Sequence, residues 1–175
     1  MIELTVNGVA RRLAVPPDRT LLRVLREELG LTSVREACGV GMCGSCGVLV
    51  DGKLMSACLL LAAQVEGREV ATVDSLAPGG RLSLVQRAFV EETGFQCSFC
   101  TPGVLLATTA LLAENPAAGD DEIRDYLEGQ ICRCGSYVKI VAAVRRAQEL
   151  LRAEAVGAEP PRDALHAGPT KEDET

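Results

Sequence analysis

Eight cysteines constrain this chain more than any other feature, because they fall into two sets of four with none left over. Cys38, Cys43, Cys46 and Cys58 follow the spacing C-x4-C-x2-C-x11-C. Cys97 and Cys100 form a C-x2-C pair, and Cys132 and Cys134 a later C-x-C pair. Four structural disulfides would require an oxidising compartment, and such close neighbours make poor partners in a stable disulfide framework. The N-terminus, MIELTVNG, has no basic segment followed by an apolar one. No apolar run reaches the roughly 18 residues that a bilayer crossing needs. The longest, GVLLATTALLA at 103–113, reads as a buried helix. The expectation is a cytoplasmic chain, not inserted in a membrane, whose thiols do metal or redox chemistry.

The first set raises a choice. Residues 38–47 read CGVGMCGSCG, in which Gly39, Gly41 and Gly44 also spell G-x-G-x-x-G. That nucleotide-binding pattern needs a strand before it, a helix opening after it, and an acidic residue about 20 positions on. Here the strand-like run GVLVDGKL follows instead, and Glu66 falls in a turn. Spacing of the form C-x4-C-x2-C with a more distant fourth cysteine is that of plant-type [2Fe–2S] ligation. Three thiolates must then converge from one tight loop while backbone N–H groups face the cluster. Glycines at 39, 41, 44 and 47 allow the positive φ and close approach this requires. A zinc site more often uses two C-x2–4-C knuckles.

On residues alone the second set leaves iron–sulfur and zinc-ribbon readings open. Context favours iron–sulfur. Each pair sits just ahead of a helix start, where free N–H groups and the positive end of the dipole favour thiolates. The chain has a formal net charge of −6, which argues against a nucleic-acid surface. It has no cluster of histidines, and its sole histidine, His166, lies in a polar tail and reads as solvated.

The first half reads as strands around one helix. Ile2, Leu4 and Val6 alternate with polar residues, Asn7-Gly8 supplies a hairpin turn, and Val9 to Val15 returns. Thr20 is a candidate N-cap for a helix from Leu21 to Leu29 that Gly30 stops. A second hairpin turns at Asp51-Gly52, and a short strand runs from Glu69 to Val73. A linker is expected at 74–82, around Pro78-Gly79-Gly80. Beyond it the pattern is helical. Ser83 and Gln86 make a capping box for a helix to about Glu92. Thr101-Pro102 suggests an N-cap ahead of a helix ending near Glu114. Asp121 is a candidate cap for a helix to Glu128, and a last helix spans 137 to 155. With five aromatic residues and no tryptophan, the core falls to Leu, Val and Ala.

Taken together, EACGVGMCGSCGVLVDG with Cys58, QCSFCTPG at 96–103 and ICRCGSYVKIVAAV at 131–144 resemble a specific family. It is that of the small iron–sulfur subunits of molybdenum hydroxylases: xanthine dehydrogenase, aldehyde oxidase and carbon monoxide dehydrogenase. The resemblance covers about residues 1–155. It implies an α+β chain: an N-terminal β-grasp, ferredoxin-like domain (1–76), a C-terminal four-helix bundle domain (83–155) and a polar tail (156–175). Each domain would carry one [2Fe–2S] cluster, on Cys38, Cys43, Cys46 and Cys58 and on Cys97, Cys100, Cys132 and Cys134. It further implies a large partner subunit that holds molybdopterin, in its cytosine dinucleotide form, and performs the substrate chemistry. Gln96 and Cys134 would contact that pterin. Electrons would pass through the two clusters to a subunit carrying FAD or to another acceptor. Where many members read CRCTGY this chain reads CRCGSY, which leaves the acceptor undetermined. The rival readings are a free-standing ferredoxin-type carrier, a zinc-stabilised interaction module, and the equivalent subunit of a molybdenum aromatic-ring reductase.

Overall fold

A computed structural model of the chain describes residues 1–157. Five strands form one mixed sheet in the order β2-β1-β5-β3-β4. They are β1 (Ile2–Val6), β2 (Val9–Leu13), β3 (Gly47–Val50), β4 (Lys53–Ser56) and β5 (Glu69–Ala71). β1 and β5 pair in parallel; the other pairs are antiparallel. Both hairpin turns fall where the sequence puts them. Asn7 and Gly8 have φ of 50° and 76°, Asp51 and Gly52 of 48° and 81°, so each turn places two consecutive residues in the left-handed region that suits a twisted hairpin.

One helix crosses the sheet. Thr20 Oγ1 accepts the Arg23 N–H at 3.4 Å and starts it. It runs as α1 (Leu21–Arg23) and then widens into a π turn over Val24–Glu28, before Gly30 ends it at a φ of 69°. The sequence gives no sign of that widening. Leu21, Leu22, Val24 and Leu25 are buried against Ile2, Leu4, Val6, Val48, Val50 and Val70. At about 1.5–3 kcal/mol for each large side chain fully buried, this face holds helix and sheet together.

Four helices follow: α2 (Leu84–Glu91), α3 (Thr101–Glu114), α4 (Asp120–Tyr126) and α5 (Tyr137–Ala155). Their core centres on Phe89, Val104, Leu111, Ile123, Ile140, Val144 and Leu150. The Ser83–Gln86 capping box is present, with the Gln86 N–H reaching Ser83 Oγ at 3.2 Å and the Ser83 N–H reaching Gln86 Oε1 at 2.9 Å. Two starts differ from expectation. Cys100, not Thr101, is the N-cap of α3, which places Pro102 in the first turn. Gly119, not Asp121, precedes α4, and its N–H is taken by Glu122 Oε2 at 2.7 Å.

The sheet and the helices share a seam. All four residues of β3 are buried. Val48 and Val50 face the α1 core, whereas Leu49 points the other way, onto Leu106 and Ala110 of α3. β5 ends at Ala71, short of the expected Val73. The stretch expected as a linker folds into two short 3-10 turns, Val73–Leu76 and Pro78–Gly80, and Val73 and Leu76 pack into the seam. His166 and nearly all of the expected tail lie outside the described residues.

Candidate metal centres

The loop of the first set turns on Gly39, Gly41 and Gly44, whose φ values are 69°, 76° and 71°. These reversals aim the N–H groups of Val40, Met42 and Cys43 at the Cys38 sulfur. The Val40 N–H, helped by the Cys43 thiol, pulls the Cys38 thiol down to about 6. Cys46 sits deeper, and burial pushes its thiol up to about 11. Cys58 follows β4, which folds back on β3. The Ala57 N–H then bonds the Cys46 carbonyl at 3.2 Å and brings Cys58 to the loop. Gly47 serves a different purpose from the one its neighbours suggest. Its φ is not positive; a side chain there would meet the Gly44 carbonyl oxygen at 3.1 Å.

The second loop bends at Ser98, a non-glycine residue with a φ of 61°. The Phe99 N–H and the Cys134 thiol hold the Cys97 thiol below its ordinary value. Burial pushes Cys100 up to about 12. Burial also pushes Cys132 up, but the Ser136 N–H, the Cys100 thiol, the Cys134 N–H and the Ser136 hydroxyl outweigh it and the net shift is downward. Gly135, at a φ of 73°, closes this turn.

All eight thiols are free, and within each set the nearest thiol neighbours fall into two pairs, with weaker electrostatic coupling between the pairs. Cys38 lies against Cys43, and Cys46 against Cys58. Cys97 lies against Cys134, and Cys100 against Cys132. A zinc–tetrathiolate centre needs all four on a single ion. A [2Fe–2S] cluster needs four thiolates shared between two irons, and two pairs side by side suit that donor set.

The two loops also touch, through residues the sequence reading passed over. The Ile131 N–H donates to the Cys43 carbonyl at 3.0 Å, so main chain next to Cys132 bonds main chain of a first-set cysteine. Gly103, near the start of α3, lies against the Gly44 carbonyl, and the Gln130 side chain is wedged beside both glycines. The Arg35 guanidinium sits 5.8 Å from the centre of the Phe99 ring, a cation–π contact from one loop to the other. A glycine in the helical run TPGVLL was the one signal in the sequence that something approaches there. Gln96 and Cys134 are both exposed, and Gln96 Nε2 donates to the Cys134 carbonyl at 3.3 Å.

Comparison with known proteins finds two iron–sulfur domains along the chain. Residues 4–77 match the family model of the 2Fe-2S iron-sulfur cluster binding domain, and residues 72–145 that of the [2Fe-2S] binding domain. The fold and the sites therefore define an iron–sulfur protein of the oxidoreductases, an α+β chain whose first half is a β-grasp. The nicotinate dehydrogenase small FeS subunit of Eubacterium barkeri is 44% identical over 148 residues, spanning 85% of this chain and 94% of that one. The xanthine dehydrogenase iron-sulfur-binding subunit of Escherichia coli O157:H7 is 48% identical over 146 residues, 82% of this chain and 91% of that one. The crystal structure of the aldehyde oxidoreductase from Desulfovibrio desulfuricans superposes with a TM-score of 0.84 at 42% identity, covering 87% of this chain but 17% of that chain. The chain belongs to the family of small iron–sulfur subunits of molybdenum hydroxylases.

Proposed function

We propose that this chain is the electron-transfer subunit of a molybdenum hydroxylase, with one [2Fe–2S] cluster on Cys38, Cys43, Cys46 and Cys58 and another on Cys97, Cys100, Cys132 and Cys134. The association of each set in two thiol pairs is the observation that carries this reading. When bound, the clusters supply two one-electron carrier sites. The protein's part is to ligate, to aim N–H donors at sulfur and to exclude water from Cys46, Cys58 and Cys132, the levers that set a cluster's potential. The Ile131–Cys43 hydrogen bond supplies main-chain contact between the two sites. We assign residues 1–76 and 83–155 as the two cluster-binding units.

A large subunit holding molybdopterin would dock at the second site. Exposed Gln96 and Cys134 would meet the pterin, and Phe99 and Ile131 in the same loops, with Tyr137 and Val138 at the start of α5, are exposed as well. The small share of the Desulfovibrio chain that this one covers supports such a partner. In the first loop Cys38, Val40 and Met42 are exposed, and exposed Leu59 lies beside Gly41. That surface suits an electron acceptor, either a subunit carrying FAD or a separate carrier. Eight free thiols suit the reducing cytoplasm, and no described helix is long and apolar enough to cross a membrane.

The test is metal content and copurification. Protein purified anaerobically in complex is expected to be red-brown, to contain about four irons per chain, and to bring a large molybdenum-containing subunit with it. A colourless zinc protein would refute the metal assignment; an iron-loaded chain with no partner would make it a free-standing carrier.

A further inference from the structure

Ser136 is the N-cap of α5, yet its side chain caps nothing. A serine at that position ordinarily accepts an N–H from the first helical turn. Here the residue is 4% exposed, and Oγ completes no hydrogen bond within the protein. A buried hydroxyl without a partner is unfavourable and calls for an explanation. The turn that holds it is tight: Gly135 has a φ of 73°, its N–H bonds the Cys132 carbonyl at 3.1 Å, and the Cys132 N–H bonds the Tyr137 hydroxyl at 2.9 Å. This turn sets the N–H and the hydroxyl of Ser136 close enough to the Cys132 thiol for both to favour its thiolate, while the hydroxyl itself has no hydrogen-bond partner.

We propose that the Ser136 hydroxyl donates a hydrogen bond to the Cys132 sulfur when that sulfur ligates iron, and thereby raises the reduction potential of the second cluster. The inference rests on the assignment of Cys97, Cys100, Cys132 and Cys134 as cluster ligands. Reduction adds one electron, from the molybdenum subunit in function or from dithionite in the test. No bond forms or breaks at the serine, and its proton stays on oxygen. The added negative charge spreads onto the thiolates, so a donor aimed at one of them stabilises the reduced state more than the oxidised state. Because the site is buried, water cannot replace that donor. Ser136 is a positioning residue that acts through Cys132.

EPR-monitored redox titration of the iron-loaded complex tests this. Ser136→Ala is expected to lower the reduction equilibrium of the second cluster about tenfold, ~59 mV for a one-electron couple, and to leave the first cluster unmoved. Ser136→Thr, which keeps the hydroxyl, is expected to stay near wild type. Two intact EPR signals with an unchanged midpoint in Ser136→Ala would overturn the proposal. So would a loss of helical stability with no change of midpoint, which would make Ser136 a helix cap. Should Ser136→Ala fail to assemble, the pair Ser136→Gly and Ser136→Thr provides the same contrast. A wild-type complex without two cluster signals would instead refute the ligand assignment itself.

Discussion

Gly103→Ala sets two effects of opposite sign against each other. Gly103 lies in the first turn of α3, and helix propensity alone favours alanine there by about 1 kcal/mol. A Cβ at Gly103, however, would stand 2.3 Å from the Gly44 carbonyl oxygen and 3.1 Å from its carbon, against 3.4 Å for ordinary contact. The obstacle is main chain, so no rotamer change relieves it, and loop and helix must separate by about 1 Å. Overpacking of this kind costs about 1–3 kcal/mol. The same separation strains the adjacent hydrogen bond from Ile131 to Cys43, which closes the contact at 3.0 Å. The strained hydrogen bond costs about 1 kcal/mol more, which offsets the propensity gain and leaves an expected net destabilisation of about 1–3 kcal/mol. With a urea slope of about 2 kcal/mol/M, the unfolding midpoint of the loaded protein falls by roughly 0.5–1.5 M. Hydrogen exchange at the Ile131 amide should accelerate at the same time. An unchanged or higher midpoint with unchanged Ile131 protection would refute the close approach of the two loops.

Cysteine substitutions separate the two sites. Cys43→Ser is expected to alter the EPR signal of the first cluster alone and Cys134→Ser that of the second alone; both changes on one signal would contradict the partition of ligands. Glu91 pairs with Arg87 one turn back on α2 at 3.1 Å and with Arg146 of α5 at 2.6 Å, and the second pair ties the two helices together. Burial pushes its carboxyl up, but Arg146 and Arg87 outweigh that and hold it below the usual glutamate range. A depressed folded value means that this stabilisation is complete above about pH 4.3 and disappears as pH falls through the folded value. Glu91→Gln is therefore expected to cost about 0.5–1 kcal/mol at pH 7 and to flatten the acid limb of the stability curve, measured by urea titration at several pH values.

Local chemistry made much of this molecule legible. Asn7-Gly8 and Asp51-Gly52 located both hairpins because those pairs tolerate left-handed backbone. The run of glycines among Cys38, Cys43 and Cys46 marked a wrapping loop, and Ser83 with Gln86 marked the start of α2. Features set by segments distant in sequence stayed hidden. Spacing could not show that Cys97 pairs with Cys134 and Cys100 with Cys132, since that depends on how α3 and α5 meet. β3 is covered on both faces because α3 packs over Leu49, and a four-residue apolar run does not say from which side its cover comes. Gly47 and Gly103 are glycines for the sake of the Gly44 carbonyl. Ser98 turns left-handed without the glycine that would have announced it.

The junction of the two loops is made mostly of main chain: an amide of Ile131, a carbonyl of Cys43, a Cα of Gly103 and a carbonyl of Gly44. The Ile131 side chain itself is exposed and takes no part in that hydrogen bond. Every encoded residue except proline carries the needed N–H. Position 131 can therefore drift through almost any side chain, adapting to whatever surface covers it, without disturbing the contact between the two sites. At this one residue the contact between the two loops is set by main chain and the exposed surface by side chain, so the two can change independently.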